Sequence, residues 1–332
     1  MQLFSTLMFH ILPGILFLIV TLEARSILVS HTNPDGVKRF ESKLDTNIGY
    51  WSPSTSSIDW CERNYVVTYY IAEFWNCISS FLMCITAAIL FIRGLLNGIE
   101  KRFLYLSFSF GLIGFGSACF HGTLTHYGQM MDELSMVYTM IVWWFILLRM
   151  NKFKLKSKKS SFEILAVFGV LYALLWTYVH SLKSFVLLFQ LHFTFMVAGG
   201  IIRLIHLYRQ TQYHMHSIMY LIMAYVGFLV PATICWIVDQ QLCERMNSAN
   251  GINPQLHAWW HTLLAFDFHM GVVCVEAMRL LSAKYQQHQI KGTKSSEQSF
   301  KPADHVRIVF SFGLPFVDYS KDDEQTKKTK KQ

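Results

Sequence analysis

Residues 103–120 read FLYLSFSFGLIGFGSACF, eighteen consecutive positions without a charged side chain. A helix of that length nearly crosses the hydrocarbon core of a bilayer. Six further runs of similar character lie at about 67–92, 130–149, 162–180, 184–204, 215–237 and 257–280. With 53% hydrophobic residues and the charge gathered into blocks between runs, the chain reads as an all-α membrane protein, a bundle of seven transmembrane helices. The runs are apolar all round and do not alternate, which argues against a transmembrane barrel.

The charged blocks orient the bundle. The link after the first run carries Arg93, Lys101 and Arg102. The link after the third carries Arg149, Lys152, Lys154, Lys156, Lys158 and Lys159, and the link after the fifth carries Arg203 and Arg209. The second link has no Lys or Arg, the fourth has Lys183 and the sixth has Arg245. Basic residues collect on the cytosolic side, so the odd links and the C-terminal tail are expected there and the even links on the lumenal side. The formal charge of +8 is thus mostly orienting charge, and no nucleic-acid partner is expected.

Four segments follow from this: 1–22, 23–66, 67–280 and 281–332. The first holds the apolar stretch LFSTLMFHILPGILFLIV at 3–20, which lacks a basic start and reads either as a cleaved signal peptide or as an extra helix. The second is a lumenal region, the third the seven-helix domain, and the fourth a polar cytosolic tail.

The run at 103–120 is followed by His121, and the last run opens HAWWHTLLAFDFHMGVVCV, with His257 and His261 four residues apart. On a helix that pair shares a face. By the charge rule the second run ends and the seventh begins on the same side, so all three histidines meet at one depth. Three imidazoles suit a zinc ion whose fourth position stays open for water. Single membrane histidines are more often packing hydrogen-bonders, the reading given to His180, His192, His206, His214, His216 and His269.

Ser117 precedes His121 by one helical turn, and Asp132 opens the third run in QMMDELSMVY. A carboxylate near an activated water can accept its proton, and a hydroxyl can donate to an oxyanion; acyl-bond hydrolysis uses both. The plainer readings are a Ser117 bond to its own i−4 carbonyl and Asp132 as a helix cap. Glu133 is the next acid in line.

The segment IDWCERNY places Asp59, Glu62 and Asn64 close together, with Glu73 inside the first run. Carboxylates, an amide oxygen and a backbone carbonyl such as that of Trp60 suit calcium, although the spacing is not that of an EF-hand. A solvated acidic loop is the plain alternative. Of seven cysteines, Cys77, Cys84, Cys119, Cys235 and Cys274 lie in apolar runs as small hydrophobes. Cys61 and Cys243 fall just outside the membrane on the lumenal side, as a disulfide or as two free thiols.

Together, DWCERNY, GFGSACFHGTL, MMDELSMVY and HAWWH, in that order over about residues 50–285, resemble the alkaline ceramidases. These are seven-helix enzymes of the endoplasmic reticulum and Golgi that hydrolyse the amide of ceramides to a sphingoid base and a fatty acid. The resemblance implies zinc on His121, His257 and His261, assistance by Ser117 and Asp132, and calcium on Asp59, the Trp60 carbonyl, Glu62, Asn64 and Glu73. It also implies a Cys61–Cys243 disulfide and a ceramide substrate, dihydro- and phytoceramides included, entering from the bilayer. Two positions depart from the family pattern: Ser135 stands where proline is common and Gly122 where a large residue is common. Both bear on the shape of the acyl pocket more than on the metal ligands.

Lys328 and Lys330 near the C-terminus are similar to a dilysine retrieval signal of endoplasmic-reticulum membrane proteins. Trp259 and Trp260 read as mouth-lining residues or as interface anchors. The alternative function is a seven-helix zinc-containing receptor of the progesterone and adiponectin receptor type, for which the basic links stand on the wrong side. Oligomeric state has no signal in the sequence.

Overall fold

The computed structural model describes residues 48–150, 159–181, 186–210, 215–248, 253–291 and 306–319. Seven helices follow in chain order: α1 (Phe74–Leu96), α2 (Lys101–Thr123), α3 (His126–Arg149), α4 (Lys159–Ser181), α5 (Val186–Gln210), α6 (His216–Ser248) and α7 (Leu256–Lys291). An antiparallel hairpin of β1 (Arg307–Ser311) and β2 (Leu314–Asp318) comes last. The apolar stretch at 3–20 and the lysines at 328 and 330 lie outside the described residues.

All helices except α7 are long and apolar enough to cross a membrane. The chain is a multi-pass membrane protein built as a seven-helix bundle. α7 is long enough at 36 residues, but His257, His261, Asp267, His269 and Glu276 reduce its hydropathy. It tolerates them because it is the inner helix, packed between α1 and α6, with Val272, Val273, Cys274, Val275 and Ala277 almost fully buried. By contrast α4 turns Ile164, Phe168, Leu171 and Leu175 outward, the mark of a lipid-facing helix.

Two glycines of α2 let the helices beside it come close. A Cβ on Gly114 would lie 2.8 Å from the Cys84 backbone nitrogen of α1, and one on Gly116 would lie 2.5 Å from the Met131 carbonyl of α3. Small residues are what permit backbones to approach in this way. They draw α1, α2 and α3 together on either side of Ser117 and just before His121.

The first helix is shorter at its start than the apolar run suggested. Residues 67–73 form a turn with a Thr68↔Ile71 bridge, and Glu73 is the N-cap of α1 rather than a residue inside it. Pairing with the end of α2 holds it there: Ala72 N–H donates to the Gly122 carbonyl at 3.0 Å and Glu73 N–H to the His121 carbonyl at 2.9 Å. The segment expected to be a polar tail from 281 instead continues as helix to Lys291 and returns as the hairpin. Phe316 and Val317 of β2 are buried, and His269 Nε2 bonds the Pro315 carbonyl at 2.8 Å. Two five-residue strands, one largely exposed and one with three consecutive buried positions, leave little periodic signal beside runs of twenty apolar residues.

Candidate active site

α2 ends at Thr123 because Leu124 takes a left-handed conformation, and Thr125 caps α3 by accepting from Gly128 N–H. His121 therefore sits on the last turn of α2, facing the first turn of α7. The donor atoms of His121, His257 and His261 lie within 4.8 Å of one another, and all three residues are buried. Among the described residues this is the one set of three His, Cys, Asp or Glu that converges so closely.

Hydrogen bonds on the outer nitrogens fix how the rings present themselves. His121 Nδ1 lies 2.5 Å from Glu73 Oε2. His261 Nδ1 lies 3.1 Å from the Asn76 carbonyl and 2.9 Å from Ser79 Oγ. Donating Nδ1–H to a carboxylate or carbonyl leaves Nε2 as a free lone pair, the arrangement metal-binding histidines use. His121 Nε2 and His257 Nδ1 are buried without a hydrogen-bond partner. Buried ring nitrogens are costly when unmatched, so the triad fits a bound cation.

Ser117 Oγ lies 2.9 Å from Ser80 Oγ and 3.3 Å from His261 Nε2, so it faces the triad. Asp132 is in the second turn of α3, past the Thr125 cap, and does not cap the helix. Ser117, Asp132, His257 and His261 line one cavity of about 190 Å³ that runs from the triad into the apolar interior. Glu133 is engaged elsewhere: Gln129 Nε2 donates to one oxygen at 2.8 Å and His180 Nε2 lies 2.9 Å from the other. His180 is thus a partner of Glu133 and stands apart from the triad.

The loop before α1 brings three of its five expected cation ligands, Asp59, Asn64 and Glu73, into contact. Asn64 Nδ2 contacts both Asp59 oxygens at 3.2 and 3.1 Å, Asp59 hydrogen-bonds Glu73, and Trp60 N–H donates to Glu73 Oε1 at 2.9 Å. Glu62 turns instead to the start of α1, accepting Trp75 N–H at 2.7 Å and Asn76 N–H at 2.9 Å. Burial pushes its carboxyl up to about 7; those two bonds oppose the shift, and the nearby Glu73 and Asp239 charges add to it. Carboxyls crowded in this way accommodate a hard cation, although the three acids do not converge as closely as the histidines.

The ceramidase family pattern matches residues 52–302 of the 332, the span that holds all seven helices and every residue of this site. The chain belongs to the ceramidase family. It is 30% identical over 247 residues to alkaline ceramidase 3 of Mus musculus, covering 72% of this chain and 89% of the relative. It is 32% identical over 222 residues to an alkaline ceramidase of Arabidopsis thaliana, covering 66% and 82%. Alkaline ceramidase YPC1 of Saccharomyces cerevisiae is 27% identical over 267 residues, covering 74% and 84%.

In this ceramidase-family chain Cys61 and Cys243 form a disulfide that ties the loop to the end of α6. Asp239, one helical turn earlier, reinforces the tie. Its Oδ2 accepts Cys61 N–H at 3.1 Å and its Oδ1 accepts His257 N–H at 3.3 Å. Trp60 stacks on the His257 ring with centroids 3.5 Å apart. Asp239, Asn76, Ser79 and the Trp60 ring were not anticipated from sequence. An acid within the apolar WIVDQQ stretch was the available signal for Asp239. The others depend on how α1 and α7 face each other. Of the two tryptophans after His257, Trp260 lines the cavity and Trp259 is exposed.

Proposed function

We propose that this protein hydrolyses the amide bond of ceramides, releasing a sphingoid base and a fatty acid. The observation that carries the reading is the convergence of three histidine donors at one end of an apolar cavity in a ceramidase-family chain. Family membership leaves the receptor alternative without support. Endoplasmic reticulum or Golgi is the proposed location, with the loop and the triad on the lumenal side. The Cys61–Cys243 bond is at home in that oxidising compartment.

His121, His257 and His261 hold zinc in this account. When bound there, zinc supplies Lewis acidity toward the amide carbonyl and a more acidic water. Ceramide enters sideways from the lipid, its chains in the cavity and its amide at the triad. Ser117 Oγ donates to the carbonyl oxygen as negative charge develops on it. Asp132 accepts a proton from the attacking water; a new C–O bond forms, the C–N bond breaks, and the same carboxyl returns the proton to the leaving nitrogen. Asp59, Glu62, Asn64, Glu73 and the Trp60 carbonyl are the residues that would hold calcium. Calcium would neutralise acids that already touch, and would hold the loop against His121.

Mass spectrometry of the purified protein acting on a ceramide in detergent tests the reaction. Equal amounts of free base and free fatty acid are expected, and a bound lipid recovered unchanged would contradict it.

A further inference from the structure

Asp267 of α7 is a carboxyl that neither the triad nor the proton transfers use. It is 7% exposed, it lines the same cavity as His257 and His261, and its Oδ1 is buried without a hydrogen-bond partner. An ionisable side chain inside a membrane bundle is costly, and one facing a cavity marks a ligand pathway. The cavity around it is mostly apolar lining suited to hydrocarbon, including Leu264 and Phe268 on α7 and Trp143 of α3. The Tyr225 phenol of α6 is near enough to interact with the carboxyl while leaving Oδ1 without a hydrogen bond. A carboxyl in that setting has no use for a methylene chain. It recognises a hydrogen-bond donor.

The position sets which donor. Asp267 lies six residues beyond His261, about 9 Å further along the helix axis at 1.5 Å per residue. The scissile amide and the groups next to it are held at the triad, too far away to reach it. The partner must therefore ride on the hydrocarbon chain, several carbons from the amide, and the uncharged donor compatible with such a chain is a hydroxyl.

We propose that Asp267 is a specificity-determining residue that accepts a hydrogen bond from a hydroxyl on the hydrocarbon chain of the lipid substrate, so that chain-hydroxylated substrates are preferred over unsubstituted ones. The inference rests on the proposed ceramidase activity. Discrimination of this kind is steep, because an analogue lacking the hydroxyl leaves the buried carboxyl unmatched, whereas a pocket without such a group barely distinguishes the two.

The test uses the full chain in detergent with ceramides that each carry one hydroxyl at successive chain carbons, beside the unsubstituted parent. One position, or two adjacent ones, is expected to exceed the parent in kcat/KM by at least about tenfold. In Asp267→Leu that ratio should fall below about threefold, with the parent gaining. Asp267→Asn, whose amide oxygen still accepts, should retain part of the preference. Equal zinc content in all three proteins and a melting temperature of Asp267→Leu at or above the parent protein's would show that folding is intact. A flat profile in the unmodified protein, or a preference that survives in Asp267→Leu, would overturn the inference while leaving the hydrolase reading standing. Failure to turn over any ceramide would overturn both.

Discussion

Glu73 and His121 face each other with Oε2 and Nδ1 2.5 Å apart, both side chains fully buried. The other Glu73 oxygen accepts Trp60 N–H, and Asn76 Nδ2 donates to Oε2 at 3.0 Å. One carboxyl thus joins the acidic loop, the start of α1 and the histidine triad. Outer partners of this kind are worth about 10- to 100-fold in metal affinity or activity. Glu73→Ala should lose that much zinc affinity, measured by competition with a chelating dye. Affinity equal to that of the unmodified protein would show that the contact does not orient His121.

Asp239 holds the loop and α7 through two buried amides, and removing its carboxyl strands both. An unsatisfied buried donor costs about 1–3 kcal/mol, so Asp239→Ala should lower stability by roughly 2–6 kcal/mol in detergent. Thermal unfolding followed by tryptophan fluorescence reads this directly. A shift within error of zero would mean that the two bonds near 3.1 and 3.3 Å carry no weight.

Ser117 and Asp132 are expected to separate kinetically. Loss of an oxyanion donor costs about 10²–10³ in kcat, so Ser117→Ala should fall by that amount with KM little changed. Asp132→Asn keeps the shape and cannot carry a proton; it should lose about 10²–10⁴ in kcat and the acidic limb of any pH profile that this carboxyl sets, since a general base must start deprotonated. A Ser117→Ala defect confined to KM would reassign Ser117 to substrate binding.

Calcium binding should stabilise the folded state by mass action, about 2.7 kcal/mol at a free concentration one hundred times Kd. Asp59→Ala and Asn64→Ala should abolish that gain in a melting experiment with and without a calcium-selective chelator. Because Trp60 stacks on His257, its fluorescence should also respond to the ion. Identical melting curves with and without calcium would remove the cation from the loop.

Much of this was legible because lipid imposes strong rules on a chain. The run at 103–120 could only be a spanning helix, and the charge of alternate links put His121, His257 and His261 at one depth before any contact was known. The i, i+4 spacing of the last two gave the shared face. Contacts between helices were not legible. Asp239 of α6 reaches across to Cys61 and His257, and Asn76 and Ser79 of α1 reach His261, contacts that depend on how the loop, α1, α6 and α7 face one another. Glu73 was placed inside the first apolar run because hydropathy does not record where a helix begins. Its cap position follows from the pairing of residues 72 and 73 with the end of α2. Asp267, like Asp239, carried a signal left unread, an acid within the apolar LLAFDFHM, since neither the zinc nor the proton chemistry required it.

The central claim is that the histidine triad holds a zinc ion required for ceramide hydrolysis. The most direct measurement determines zinc content and sphingoid-base release on the same purified samples of the unmodified protein, the chelator-stripped protein, the zinc-restored protein and His257→Ala. About one zinc per chain is expected in the active samples, with turnover lost on stripping, regained with zinc and absent in a folded His257→Ala variant. Full turnover in a zinc-free sample, or in His257→Ala, would contradict the account.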